Sequence, residues 1–353
     1  MTEIVLDTLG KDFGSFTALR DMDLTIRDGE FMALLGPSGC GKSTTMNMIA
    51  GMLEPTRGQI RFDGKRIDGV PMAKRGVGFV FQNYAIFTHM SVRENLAYGP
   101  KAQGMSRAEV TRRVSDIAEL LQLTPMLDRR AAGLSVNILQ RIAIGRSAAV
   151  EPAIFLLDEP LSNVDAAFRA VMRSELKGLQ RRFSQTMVYV THDQLEAMTM
   201  ADRIAVMDHG RLLQVGTPLE VYNNPSDTFV ARFIGSPGMN LIPARVDGDT
   251  AHMDGIGALT LTAAPGTAQV LAGFRPEVVH PDDDGPLAMG VEIVEHIGAR
   301  TIVHLRAGET EVKAVLDAEH TAPREGQAFR FRVDAADIRL FDPATGAAMK
   351  RHG

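Results

Sequence analysis

One run of nine residues, Gly36-Pro37-Ser38-Gly39-Cys40-Gly41-Lys42-Ser43-Thr44, constrains the fold more than any other part of the chain. It follows directly on the apolar segment Phe31-Met32-Ala33-Leu34-Leu35, and Ser43 to Gly51 reads as a helix that ends at a glycine. Strand, glycine loop and helix in that order fit G-x-x-x-x-G-K-[ST] in the context the pattern requires. Glycines let the backbone curl until successive N–H groups point inward. The helix N-terminus adds partial positive charge, and both favour the β- and γ-phosphates of a nucleotide. In this reading Ser38, Gly39, Cys40, Gly41 and Thr44 line the phosphates, Lys42 adds a point charge and Ser43 offers a hydroxyl to Mg²⁺.

The surrounding pattern is that of a parallel α/β sheet. Apolar runs at Ala153–Leu157 and Met187–Val190 alternate with helical stretches, as strands covered on both faces do. In such sheets ligand-binding groups gather beyond the carboxyl ends of the strands. There the chain carries Asp158 and Glu159, His192 between Thr191 and Asp193, and Gln82 just after Phe79-Val80-Phe81. Asp158 suits Mg²⁺ through water, and Glu159 suits polarising an attacking water. Paired acids could instead form a plain polar turn, and a lone histidine is more often structural than catalytic. The phosphate loop upstream favours the functional reading of both.

Ile4 to Phe31 reads as short strands joined by glycine turns. A helical insert follows at about residues 87–150. In it, Ser106 to Glu109 forms a capping box before Val110, Val114, Ile117 and Leu121, and a second helix spans Ser135 to Ala149. Past Gly235-Ser236-Pro237-Gly238 short alternating segments punctuated by Gly, Pro and Asp take over. The expected domains are 1–237 and a small all-β domain over 238–353. The single cysteine, Cys40, excludes an internal disulfide and suits a reducing cytosol, and a net charge of −5 argues against a broad nucleic-acid-binding surface. With no apolar run near the roughly 18 to 20 residues that span a bilayer, and no signal-peptide layout at the N-terminus, work at a membrane would need another protein.

Taken together these motifs resemble the ATPase subunits of ABC transporters, in particular the sugar-importer type similar to the maltose and glycerol-3-phosphate transporter ATPases. The likeness extends over essentially the whole chain. It implies an α/β P-loop NTPase core with antiparallel β and helical subdomains, followed by a C-terminal all-β, OB-like regulatory domain of the TOBE type. It also implies ATP and Mg²⁺ as ligands. Phe13 in Lys11-Asp12-Phe13-Gly14 would stack on adenine, although by itself it reads more readily as a core aromatic. Gln82 would watch Mg²⁺ and touch the permease, Ser162-Asn163-Val164-Asp165 would cross to a second subunit, and His192 would meet the γ-phosphate. Gly238-Met239-Asn240-Leu241-Ile242-Pro243 and Gly273-Phe274-Arg275-Pro276-Glu277 carry the likeness into the tail. Implied partners are transmembrane permease subunits, a second ATPase subunit and, indirectly, a solute-binding protein, with the chain at the cytoplasmic face. Asn83 to Phe87 and the helical insert would dock on the permease. The implied cargo is a sugar, polyol or glycerol phosphate, with polyamines next. Rival readings are a soluble ABC ATPase acting on nucleic acid or ribosomes and an ATP-dependent regulatory binding protein.

One motif departs from the family pattern. Where relatives read Leu-Ser-Gly-Gly-Gln, this chain reads Leu134-Ser135-Val136-Asn137-Ile138, followed by Leu139-Gln140-Arg141. In the family this segment is pressed against ATP held by the partner subunit. Ser135 can still cap the helix and offer its hydroxyl. Val136, however, puts methyl groups where close backbone approach is needed. The expectation therefore leans towards pairing with a different ATPase subunit rather than a homodimer.

Overall fold

The computed structural model describes residues 2–162, 164–317 and 322–349. Asn163, in the segment expected to cross to a second subunit, lies outside them. The chain forms two compact units divided between Pro218 and Leu219.

The first unit holds strands β1 (Ile4–Phe13), β2 (Phe16–Ile26), β3 (Phe31–Leu35), β4 (Arg57–Phe62), β5 (Lys65–Arg66), β6 (Val77–Val80), β7 (Ile154–Asp158), β8 (Thr186–Thr191), β9 (Arg203–Asp208) and β10 (Arg211–Gly216). Its helices are α1 (Lys42–Ala50), α2 (Val92–Ala102), α3 (Arg107–Leu120), α4 (Val136–Ala148), α5 (Ala166–Phe183) and α6 (Gln194–Met200). One sheet runs β2-β1-β4-β5, and the other β10-β9-β3-β8-β7-β6. Pairing is parallel from β9 through β3, β8 and β7 to β6, so the carboxyl ends of these strands lie along one edge.

Every residue of β3 and β8 is buried, and the period of two sorts their side chains between two cores. Phe31, Phe155, Leu157, Met187 and Tyr189 join the core built with the helical insert and α5. Met32, Leu34, Ile154, Leu156, Val188 and Val190 join the core under α1 and the β1–β2 sheet. The strands expected to be short between Ile4 and Phe31 are instead two long antiparallel ones of 10 and 11 residues. Register shifts between Leu6 and Asp12 and left-handed backbone at Thr8 and Asp21 interrupt the alternation, which is why the pattern looks fragmented in sequence.

In the insert Val110, Val114, Ile117 and Leu121 are buried together, as their spacing predicts. The expected capping box is half formed. Ser106 accepts from the Glu109 N–H (3.2 Å), but the Glu109 carboxylate turns to Arg112 and Arg113. A complete box occurs at the start of α2, where Ser91 and Glu94 bond each other's backbone N–H.

The second unit holds α7 (Pro218–Asn223), which opens at the boundary, α8 (Thr228–Phe233) and an antiparallel β assembly. Its strands are β11 (Asn240–Asp247), β12 (Thr250–Met253), β13 (Gly257–Thr260), β14 (Gln269–Phe274), β15 (His280–Pro281), β16 (Leu287–Ile297), β17 (Arg300–Ala307), β18 (Thr310–Asp317), β19 (Ala328–Arg332) and β20 (Arg339–Phe341). They follow the order β15-β19-β16-β13-β12-β11-β14-β20, with β17 and β18 branching from β16. Phe274, Leu287, Val303, Leu316 and Phe331 centre its core.

The division falls before the expected joint at Gly235–Gly238, because both short helices fasten to the β assembly. Buried Arg275 donates to the carbonyls of Tyr222, Ala231 and Ile234, satisfying the C-terminal end of α8. The two tail motifs are structural in this unit. The Asn240 side chain pairs with both backbone groups of Lys313 (2.8 and 2.9 Å), and a Cβ at Gly273 would strike the Phe341 ring at 2.7 Å.

Candidate functional site

The loop between β3 and α1 is shaped by glycines, of which Gly36 and Gly41 cannot be exchanged without collision. Gly41 occupies the N-cap of α1 at φ 103°, and a Cβ there would lie 2.8 Å from the Ala18 carbonyl oxygen. A Cβ on Gly36 would overlap the Met207 carbonyl. Gly39 is also left-handed, at φ 80°, but faces open space. Cys40 is buried beneath the loop, and Thr45 bonds back to the Gly41 carbonyl (2.9 Å). Lys42 is 5% exposed, its ammonium donating to the carbonyls of Gly36 (2.7 Å) and Pro37 (2.9 Å). Ser38, Gly39, Ser43 and Thr44 flank it on the loop and the first turn of α1. At the far end of the helix Gly51 closes α1 at φ 83°, and Arg75 donates to the Met48 and Ile49 carbonyls.

The strand order puts the other candidates beside this loop. Next to β3 comes β8, leading to His192; then β7, ending in Asp158 with Glu159 next in the chain; then β6, leading to Gln82. Ser43 donates to Asp158 Oδ1 at 3.1 Å. The Gln82 amide lies 3.4 Å from Glu159 Oε2, and His192 Nδ1 lies 3.2 Å from Glu159 Oε1. Glu159 therefore stands between Gln82 and His192. Its backbone is left-handed (φ 44°), a conformation costing on the order of 1 kcal/mol outside glycine, and its N–H is fixed to the Val190 carbonyl of β8 (3.0 Å). Burial pushes the Asp158 carboxyl above its usual range; the Ser43 hydrogen bond opposes this, and the Glu159 charge adds to it.

These donors fit a phosphate-bound Mg²⁺. The hydroxyl of Ser43 and the carboxylate of Asp158 are hard oxygen ligands already in contact, and a divalent cation would relieve the charge that burial disfavours. Among the described residues no cluster of three His, Cys, Asp or Glu side chains stands ready as a self-sufficient metal cage.

Phe13 is 47% exposed at the β1–β2 turn, so it is not a core aromatic. Lys11 lies over its ring at 5.1 Å and is tethered to the Glu54 carbonyl. Ser135 takes the N-cap position of α4, yet its side chain makes no capping hydrogen bond, contrary to expectation. The next residue, Val136, is 45% exposed, and Asn137 donates instead to Asp165 Oδ2 (3.2 Å).

Two residues near the site escape a motif reading. Arg169 bonds Asp193, and buried Glu196 accepts from Tyr189 and Thr191. The only sequence signal for them was their nearness to His192 or to the Ser162–Asp165 segment.

Two family profiles match, one described as ABC transporter over residues 19–162 and one as TOBE domain over residues 272–341. Among curated proteins, the sn-glycerol-3-phosphate import ATP-binding protein UgpC of Ruegeria pomeroyi is 44% identical over 348 residues, covering 98% of this chain and 99% of its own. The trehalose/maltose import ATP-binding protein MalK of Thermococcus litoralis is 44% identical, covering 99% and 100%. Among solved structures, cbiO1 from Clostridium perfringens, part of the ABC transporter complex cbiONQ, aligns with a TM-score of 0.59 at 28% identity, covering 62% of this chain and 89% of its own.

Proposed function

The chain belongs to the ABC transporter family as an ATP-binding import subunit, and on that premise we propose that it hydrolyses MgATP at the β3–α1 loop to drive solute uptake through a separate transmembrane permease. The observation that carries the site assignment is the row of contacts along one sheet edge: Lys42 on its loop, Ser43 against Asp158, and Gln82, Glu159 and His192 in sequence. Loop amides and Lys42 bind the triphosphate. Mg²⁺, held by Ser43 and Asp158 with Gln82 beside it, would neutralise charge on the β- and γ-phosphate oxygens. Glu159 accepts a hydrogen bond from the attacking water and orients it. His192, in contact with Glu159, faces the γ-phosphate side of the site. Exposed Phe13 offers an apolar ring face to the base without selecting it by hydrogen bonds.

Two ATPase subunits close over ATP because the nucleotide binds the closed arrangement better than the open one. Val136, Asn137 and Ile138 favour a mixed pair, in which an intact signature from another subunit completes this chain's site. The permease docks against the helical insert. There Phe87 and Tyr98 pack at 4.7 Å, Tyr98 is 48% exposed, and a groove of about 410 Å³ opens between Met90, Glu94, Tyr98, Lys101 and Ala102. Arg146 of α4 holds the adjoining loop by donating to the Ala85 carbonyl (2.6 Å) and covering the Phe87 ring. The similarity to the UgpC and MalK import proteins supports a sugar or glycerol phosphate as cargo.

Glu159→Gln tests the reading. It should retain MgATP binding while hydrolysis falls by at least about a hundredfold. Light scattering of the MgATP-loaded variant then separates the pairings. A monomer that dimerises only when a second ATPase subunit is added supports the mixed pair, and a stable homodimer removes it. Undiminished hydrolysis would overturn the role of Glu159.

A further inference from the structure

The His192 side chain is 55% exposed, so packing does not hold the ring in place. What is fixed is the backbone on either side of it. Thr191 Oγ1 accepts from the Asp193 N–H at 2.9 Å and donates to buried Glu196, which also receives the Tyr189 hydroxyl at 2.8 Å. Asp193 Oδ1 caps α6 by accepting from Leu195 (2.8 Å) and Glu196 (3.3 Å). The other Asp193 oxygen, Oδ2, takes Arg169 Nη1 at 3.1 Å. The same guanidinium reaches the Val164 carbonyl through Nη2 (3.2 Å) and Nε (3.4 Å). Val164 lies five residues after Glu159, just before the N-cap of α5.

We propose that Arg169 is a positioning residue for His192, and this rests on the ATPase reading above. Its planar fork bridges a carbonyl downstream of Glu159 and the carboxylate that follows His192. The two segments that bring Glu159 and His192 to 3.2 Å are thereby tied through one side chain. A movement of the Val164 segment is passed to the turn carrying His192, whereas the phosphate loop, on the far side of β8, is not part of the bridge. Loss of Arg169 therefore lowers turnover and leaves nucleotide affinity alone. Lysine can keep the charge opposite Asp193 but not the fork, and restores part of the rate.

The test uses the full chain in whatever ATPase assembly shows turnover, with four variants: Arg169→Met, Arg169→Lys, Asp193→Asn and His192→Gln. Asparagine remains a good N-cap, so Asp193→Asn keeps α6 while weakening the ion pair, and it serves if Arg169→Met does not fold. We expect Arg169→Met to lower kcat about tenfold with KM for ATP within about twofold, and Arg169→Lys to recover part of the loss. In the His192→Gln background, read by single turnover over hours, Arg169→Met should change the rate by less than about twofold, because its route to the chemistry is already gone. An equal loss in both backgrounds, a rise in KM as large as the fall in kcat, or no effect of either Arg169→Met or Asp193→Asn overturns the proposal. Absence of hydrolysis in the parent assembly would instead strike the ATPase reading.

Discussion

Replacing Val136, Asn137 and Ile138 together by Gly, Gly and Gln asks whether the altered signature limits this ATPase, and the structure sets both the cost and the gain. On the cost side, two glycines entering the first turn of α4 lose about 1 kcal/mol of helix propensity relative to Val and Asn. The exposed Asn137–Asp165 hydrogen bond contributes about 0.5 kcal/mol, and half-buried Ile138, packed on the helical core, about 1 kcal/mol more. The variant should thus be about 2 to 3 kcal/mol less stable, which a domain of ordinary stability tolerates. On the gain side, Val136 is exposed at the helix start, where a phosphate of a neighbouring subunit would need close backbone approach. One well-aimed donor to a transferring phosphoryl group is worth about a hundredfold in rate. Even partial recovery should raise phosphate release at saturating MgATP at least about tenfold in the isolated chain. Urea unfolding of the same preparation confirms that the variant is folded. Turnover within about twofold of the parent, in folded protein that binds nucleotide, would refute the argument that these side chains obstruct a site.

Two further predictions concern the frame around the site. Arg75→Met removes four hydrogen bonds, to the carbonyls of Met48, Ile49, Asp68 and Val70, and should cost about 3 to 5 kcal/mol in urea unfolding; an unchanged midpoint would contradict the anchoring of α1. Burial pushes the Glu196 carboxyl above its ordinary 4.5, with the Thr191 and Tyr189 hydrogen bonds opposing. The folded protein therefore holds this proton more tightly than the unfolded chain, and the associated stability, complete below 4.5, is lost as pH rises through the folded value. Relative to the parent, Glu196→Gln should become more stable as pH rises from below 4.5 through the folded value, and a pH-independent difference would contradict it.

How much of this was legible in sequence depended on how local each cause is. Gly36 to Thr44 announces its fold because glycines, lysine and hydroxyl act within one loop. The strand-end acids and His192 were legible because a parallel sheet brings strand ends together whatever the exact strand order. Lys42's hold on the Gly36 and Pro37 carbonyls, by contrast, follows from three-dimensional backbone placement that no motif records. The same holds for Arg75, Arg169 and Arg275, whose partners are mostly carbonyl groups that every residue carries. Ser91 and Glu94 carry the same capping pattern as Ser106 and Glu109, but only the first pair completes the box, because nearby Arg112 and Arg113 compete for Glu109. The unit boundary was hidden for a related reason. The Pro and Gly cluster at 235–238 looks like a linker, while the contacts that fasten α7 and α8 come from Arg275, far downstream.

Equilibrium binding of labelled ATP with Mg²⁺ to the purified chain, with and without Lys42→Ala, bears most directly on the triphosphate cradle. Saturable binding should weaken at least about thirtyfold when the ammonium is removed, the equivalent of about 2 kcal/mol for a charge-assisted contact. Binding that is absent from the parent, or indifferent to Lys42, would contradict the account.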